Sequence, residues 1–465
     1  MQKLSFQDAA FFRMESATRP FHIGVLTVFS KPDDAAPDYL RKLRGNLAKD
    51  LLQQFPVLKR ALADPKDTLA PRWTEVEPEL SHHLRLYALP YPGRMQDLMT
   101  VAANAHAPHL DRSAPLWECH LIDGLSRNRF ALYMKIHHAL VDGATGIRMM
   151  GEMMQSEPHK GRRRRPRKPQ EDPAAGRETE QKKRRSNLLE QLEKQFEDVM
   201  KQGKALPEVV SELLRMGWNQ LRGDADHPPL PFTAPSTILN QPGSALRRLM
   251  GVDLPLNSLR AIGHSAGGTI NDALIATVGG AVRSYLKEQN ALPRSSLTTL
   301  LPVSIKSSES ASGNTLSMIM CPMATNVADA KRRLQRIVKV TGGSKARLAS
   351  MSDAGRQDMM NFIMLPVMAL SMTHTTDKFR PQFNVPVSNI MGPREARYLE
   401  DARMEAMYPL SLLSDILVTN FTAISYRNKL CVGIIACPDG LSDIDSLGNH
   451  LKRAHAELRS ACLGK

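Results

Sequence analysis

The stretch PHKGRRRRPRKPQEDPAAGRETEQKKRR, residues 158–185, limits most what this chain can build. It holds 12 Lys and Arg against 4 Asp and Glu, so 12 − 4 = 8 of the formal +15 charges lie there. Like charges repel, proline denies regular backbone pairing, and too little apolar surface is present to bury a core. The 465-residue chain is therefore read as two folded parts around a connector: 1–155, then 156–235, then 236–465. Domains typically run to about 100–250 residues, so each flank is long enough for a core of its own. The connector's second half places apolar residues at 188, 189, 192, 196, 199 and 200, then at 206, 209, 210, 213, 214 and 218. That is an amphipathic helical pattern, broken near Gly203 and Pro207. A basic run of this size attracts polyanions: anionic lipid headgroups, nucleic acid or an acidic partner.

Both flanks mix helical and strand periodicity. In the first, SFQDAAFFRME opens with Ser5 and Asp8 in capping-box spacing. HIGVLTVF (22–29) has strand length, while 38–55 and 94–107 carry helical spacing. WECHLIDGL and RFALYMKIHH read as two strands joined near Ser126–Asn128. In the second flank, RRLMGVDL, LTTLLPVSI and TLSMIMCPMAT read as strands. Helices are expected over 268–289, 327–340, 352–379 and at the C-terminal end, with a hairpin turning near Asn428. The fold class is α/β, with two mixed halves.

The N-terminal residues MQKLSFQDAAFFRME carry acids early and lack an apolar core of signal-peptide length. The longest apolar stretch, FIMLPVMALSM (362–372), is too short to cross a bilayer and contains Pro366. The five cysteines (119, 321, 431, 437 and 462) are odd in number and lack zinc-site spacing, which predicts reduced thiols in a cytoplasmic protein. Methionine is frequent, 24 of 465, and its flexible side chain suits irregular cores or channels for chain-like ligands.

IHHALVDG (136–143) concentrates the chemistry. Side chains alternate along a strand, so Phe130, Leu132, Met134, Ile136 and His138 share one apolar face. Ala131, Tyr133, Lys135 and His137 share a more polar one. His138 is thus expected to face the interior, where burial keeps an imidazole neutral and fit to act as a general base. Asp142 has three readings: cap of the following helix, partner of an arginine, or orienter of His138. Gly143 is expected to let the backbone turn tightly. A metal site is the weaker reading, because adjacent histidines on opposite strand faces do not share one ion readily, and a structural strand end stays open beside catalysis.

GHSAG (263–267) matches the Gly-x-Ser-x-Gly nucleophile elbow and would make Ser265 a hydrolase nucleophile. The elbow needs a strand immediately before it, whereas Leu256, Leu259 and Ile262 recur at helical spacing. No phosphate-cradling or dinucleotide-binding glycine motif is present in its usual context. Cys119 is a conceivable nucleophile whose simpler reading is a small buried thiol.

HHALVDG, PLWE (115–118), TINDALIA (269–276) and VSNIMGP (387–393), with the N-terminal SFQDAAFFRMES and FHIGVLTVF, together resemble the bacterial wax ester synthase/diacylglycerol acyltransferase family of the CoA-dependent acyltransferase superfamily. The resemblance spans nearly all of the chain except 156–235. It departs at Ile390 and Met391, where the family pattern has Val-Pro. It implies two chloramphenicol-acetyltransferase-like domains, each a mixed sheet flanked by helices, with an active-site tunnel between them. It implies an O-acyltransferase that moves a fatty acyl group from acyl-CoA to a long-chain alcohol or to diacylglycerol. His138 would be the base, with no acyl-enzyme, no metal and no cofactor beyond acyl-CoA as substrate. His137, Asp142 and Gly143 would support it; Pro115, Leu116, Trp117, Asn271, Asp272, Ser388, Asn389, Gly392 and Pro393 would line the substrates' site, Asn271 as a candidate oxyanion donor. The implied partners are lipids rather than nucleic acid, with peripheral contact at an anionic membrane's inner face or at lipid inclusions. An amide-forming condensation enzyme shares HHALVDG but not the companion motifs. A non-catalytic polyanion binder would use only the Arg-rich run.

Overall fold

The structure, a computed structural model, describes residues 2–68, 70–158, 227–306, 314–414 and 416–464. The helical pattern over 188–218 and all but the first residue of the basic run lie outside the described residues. The chain forms two compact units.

The first unit begins with β1 (Gln2–Lys3), α1 (Phe6–Met14), β2 (His22–Ser30) and α2 (Tyr39–Gln54). It continues through β3 (Arg60–Leu62), β4 (Arg72–Glu75), α3 (Leu80–His83), β5 (Leu84–Ala88), α4 (Met95–His106), β6 (Trp117–Leu125), β7 (Arg129–His137) and α5 (Gly143–Glu152). Ser5 caps α1, its hydroxyl accepting from the Asp8 N–H at 3.1 Å, which satisfies one of the donors a helix start leaves open. α2 buries Leu40, Leu43, Leu47, Leu51 and Leu52, the stripe its spacing predicts. β6 and β7 join through Arg127 and Asn128, both at positive φ.

In the second unit, β8 (Arg248–Pro255) leads into α6 (Leu256–Ser265), α7 (Ile270–Glu288), β9 (Thr298–Lys306), β10 (Asn314–Pro322), α8 (Ala330–Ser350), α9 (Asp353–Met372) and β11 (Val387–Ile390). The chain then returns to the first unit for β12 (Tyr398–Leu399) and β13 (Ala402–Leu410), and closes the second with β14 (Thr419–Tyr426), β15 (Lys429–Ala436) and α10 (Ile444–Leu463). β9 and β10 form an antiparallel pair, and a four-stranded sheet runs β11-β14-β15-β8. Helix α7 packs against α6, α8 and α10.

The division at 236–465 therefore needs correcting. Residues Pro393–Leu412 belong to the first unit. There β13 pairs antiparallel with β2, Pro409 opposite Val25, in a six-stranded sheet ordered β12-β13-β2-β7-β6-β5. Strand partners are set by long-range pairing, which neither composition nor local periodicity records.

That sheet places β7 in its interior, with β2 and β6 on either side. Every residue of β7 after Arg129 is buried, so the expected polar face is covered too. The covering is polar. The Lys135 ammonium donates to the Ala105 and Pro108 carbonyls at 3.0 and 2.6 Å, and the His106 Nδ1 lies 2.6 Å from the Tyr133 hydroxyl. Gly24 on β2 makes room for Tyr133, since a Cβ there would stand 2.8 Å from its ring.

GHSAG proves to be the end of a helix. Gly263, His264 and Ser265 close α6, and the Ser265 hydroxyl donates to the Ile262 carbonyl at 2.7 Å. Among the described residues no helix is long and apolar enough to cross a membrane.

Candidate active site

The end of β7 is clamped from both neighbouring sides. The Leu116 carbonyl accepts the His137 N–H at 3.0 Å, and the Phe21 carbonyl accepts the His138 N–H at 2.8 Å. The chain then wraps around His137: its carbonyl accepts from Leu140 and Val141, and its Nδ1 accepts from the Ala139 N–H at 3.1 Å. Nδ1 as acceptor fixes the neutral tautomer with the proton on Nε2. Asp142 is the N-cap of α5, one oxygen accepting from the Thr145 N–H at 2.8 Å. The motif is thus one local machine: the first histidine organises a turn, the second sits on it, and the aspartate starts the next helix.

Helix α1 supplies the walls. Phe12 stacks on His137 with ring centres 4.5 Å apart and 6° between planes. Phe11 meets His138 edge-on at 4.8 Å and stacks on Phe21 at 5.7 Å. His137 is 2% exposed, and burial takes its pKa down to about 4 against the pull of the Glu15 carboxylate. His138 is half-buried. Burial lowers its pKa as well, opposed by Asp142 and by the residue's own carbonyl. Both rings are neutral at pH 7, and only His138 is partly open.

Strand alternation expected His138 inside and His137 turned away. The structure reverses the burial of the two. β7 is covered on both faces and stops at His137, so the alternation does not extend to the residue beyond. Gly143 also departs from expectation: its φ lies outside the left-handed region, and a Cβ there would meet nothing within 4 Å.

Leu116 and Trp117 are fully buried in the first unit. The Trp117 indole donates to the Leu58 carbonyl at 2.8 Å and stacks on His83, while the Pro115 carbonyl accepts the Trp117 N–H at 2.9 Å. This motif therefore supports the site through backbone and core.

The other two motifs meet each other in the second unit. The Asn389 amide donates to the Asn271 Oδ1 at 2.6 Å. Asp272 caps α7, taking both the N–H and hydroxyl of Thr269 at 2.7 Å, and ties in α8 through the Thr341 hydroxyl at 2.6 Å. Ser388 lies in β11, paired in parallel with Thr422 of β14. Gly392 allows a close backbone approach, since a Cβ would stand 2.1 Å from the Ser425 carbonyl oxygen. Pro393 begins the return to the first unit.

Two residues of β7 line an apolar pocket. Met134 and Ile136 line it with Ile23 and Val25 of β2, with Met149 and Met150 of α5 and with Met153 just beyond that helix.

Sequence reasoning missed the contribution of α1. Phe11, Phe12 and Glu15 entered the sequence reading only within a capped helix start and a stretch shared with the family. The available signal was an acid one turn beyond paired aromatics, in a segment that had to be buried.

The fold recurs in solved proteins. The first condensation domain of the calcium-dependent antibiotic synthetase is similar with a TM-score of 0.58 at 11% identity, covering 99% of this chain and 96% of that one, a likeness that speaks for fold alone. The fold places the chain in the class of condensation-domain-like α/β folds. Within that class, residues 4–274 match the profile of the wax ester synthase/diacylglycerol acyltransferase catalytic domain, and 312–459 that of the WS/DGAT C-terminal domain. The O-acyltransferase WSD of Acinetobacter baylyi is 32% identical over 457 residues, 97% of this chain and 96% of that protein. The wax ester synthase/diacylglycerol acyltransferase from Marinobacter aquaeolei VT8 superposes with a TM-score of 0.74 at 29% identity, covering 98% of each chain. The chain belongs to the wax ester synthase/diacylglycerol acyltransferase family and is an acyltransferase.

Proposed function

We propose that this protein transfers a fatty acyl group from acyl-CoA to the hydroxyl of a long-chain alcohol or a diacylglycerol, with His138 as general base. His138 takes the hydroxyl proton, the oxygen attacks the thioester carbonyl, and the C–S bond breaks. The proton then leaves with CoA as thiol. The observation that carries this reading is a half-buried imidazole, its pKa lowered by burial, in the turn after β7, the strand whose Met134 and Ile136 line an apolar pocket walled by methionines. Methionine side chains are flexible enough to move aside for an aliphatic chain.

Direct transfer is supported by the state of the two rival nucleophiles. Ser265 donates its proton to a helix carbonyl, and Cys119 is fully buried with its thiol pushed up to about 12 by burial. The test is purified enzyme with palmitoyl-CoA, offered hexadecanol and a diacylglycerol in parallel, with thiol release followed. Direct transfer predicts no stoichiometric burst of thiol before an acceptor is added; such a burst would establish an acyl-enzyme and overturn this part.

The substrates reside in membranes and lipid inclusions, so the reading includes peripheral attachment on the cytoplasmic side through the basic run at 158–185. Deleting 160–185 is expected to weaken binding to vesicles of anionic phospholipid while activity on micellar substrate survives. Unchanged vesicle binding contradicts it.

A further inference from the structure

Helix α1 ends on a carboxylate withdrawn from solvent. The Glu15 side chain is 5% exposed. Its Oε1 accepts the Phe21 N–H at 3.2 Å and faces the His109 Nδ1 at 3.1 Å. Its Oε2 accepts from the Arg112 Nε at 3.2 Å and Nη2 at 2.5 Å. The His137 Nε2 stands 3.8 Å from Oε1. A carboxylate is expensive to bury unless its oxygens are bonded, and here the bonds converge on the segment that carries the two histidines.

Phe21 makes the connection. Its N–H is held by Glu15, and its carbonyl accepts the His138 N–H at 2.8 Å. One residue therefore separates the carboxylate from the backbone of the proposed base. The second connection runs through His137, whose Nε2 proton lies on the side of Glu15 because Nδ1 is occupied by Ala139. Burial pushes the Glu15 pKa up, but His109, His137, Arg112 and the Phe21 N–H together bring it down to about 2, so the charge is present at neutral pH.

We propose that Glu15 is a positioning residue for acyl transfer, fixing Phe21 and His137 so that the His138 ring is held at its working angle. The proposal rests on the reading of His138 as base. No proton need move through Glu15, and it touches no substrate. Its contribution is geometric, and misplacing a reacting group by ~1 Å is enough to lose about 10²-fold in rate.

The experiment compares wild type, Glu15→Gln, the pair Glu15→Gln/Arg112→Gln and His138→Ala. The pair leaves no lone buried charge and keeps the comparison alive where the single variant fails to fold. Expected for the folded variants is a kcat about 10- to 100-fold lower with KM for palmitoyl-CoA nearly unchanged. The acid limb of the kcat/KM profile should move to higher pH, because a released His138 sheds part of its burial. A wild-type kcat overturns the proposal. So does a raised KM at unchanged kcat, which would mean substrate contact. Loss of fold in both variants makes Glu15 a structural residue and overturns it as well. Full activity in His138→Ala instead removes the reading beneath it, a separate result.

Discussion

The Nδ1 of His137 accepts the N–H of Ala139 at 3.1 Å, so the first histidine of the pair is spent on building the turn that carries the second. Replacing it should act on stability before chemistry. His137→Ala removes a buried ring and its acceptor, and should lower unfolding free energy by about 2–5 kcal/mol. His137→Asn, whose Oδ1 can stand in for Nδ1, should recover part of that and retain more activity. Urea unfolding of both variants decides it; equal losses would remove the turn-building role.

Asp142 caps α5 and raises the pKa of His138 from nearby. Asp142→Ala should lose about 1 kcal/mol of stability from the cap. Asp142→Asn keeps a capping oxygen but removes the charge that favours protonated His138. The His138 pKa should then fall, and the acid limb of the kcat/KM profile should move to lower pH. A limb that stays in place shows that the charge does not reach the base.

Stability should fall on the acid side. The folded-state pKa of His137 is depressed from 6.5 to about 4 and that of Glu15 from 4.5 to about 2. In both cases the unfolded chain binds the proton more readily. The His137 contribution is therefore complete above pH 6.5 and is lost as pH falls through 4; that of Glu15 is complete above 4.5 and is lost as pH falls towards 2. Each tenfold difference in proton affinity is worth about 1.4 kcal/mol. Urea midpoints at pH 7 and 5 should show the loss in wild type and a smaller one in His137→Asn; identical drops would assign it to other groups.

The methionine pocket makes a specificity prediction. Met150 is 2% exposed and lines the pocket on α5. Met150→Trp replaces a flexible side chain there with a rigid, bulkier one and should shift preference toward shorter chains, by about tenfold or more in relative kcat/KM for octanoyl- over palmitoyl-CoA, or for octanol over hexadecanol. Unchanged ratios in both series would place the aliphatic chains elsewhere.

Much of the architecture was legible because local periodicity and burial agree. The leucine stripe of α2, the strands β2, β6, β7 and β8, and the hairpin turning at Arg427–Asn428 follow from spacing and turn residues. β13 was not legible, since its place beside β2 is fixed by a partner almost 400 residues away in sequence rather than by its own pattern. The polar face of β7 was misread for a related reason. Tyr133, Lys135 and His137 look solvent-facing in isolation, but His106, the Ala105 and Pro108 carbonyls and the Ala139 N–H supply the bonds that let them be buried. The site was legible as a motif; its division of labour was not, because it depends on α1.

Acceptor-dependent thiol release by His138→Ala tests the central claim most directly. The account predicts a fall of about 10²–10⁴-fold with palmitoyl-CoA and hexadecanol, in a protein whose circular dichroism and thermal midpoint match wild type. Wild-type turnover by the folded variant would contradict it.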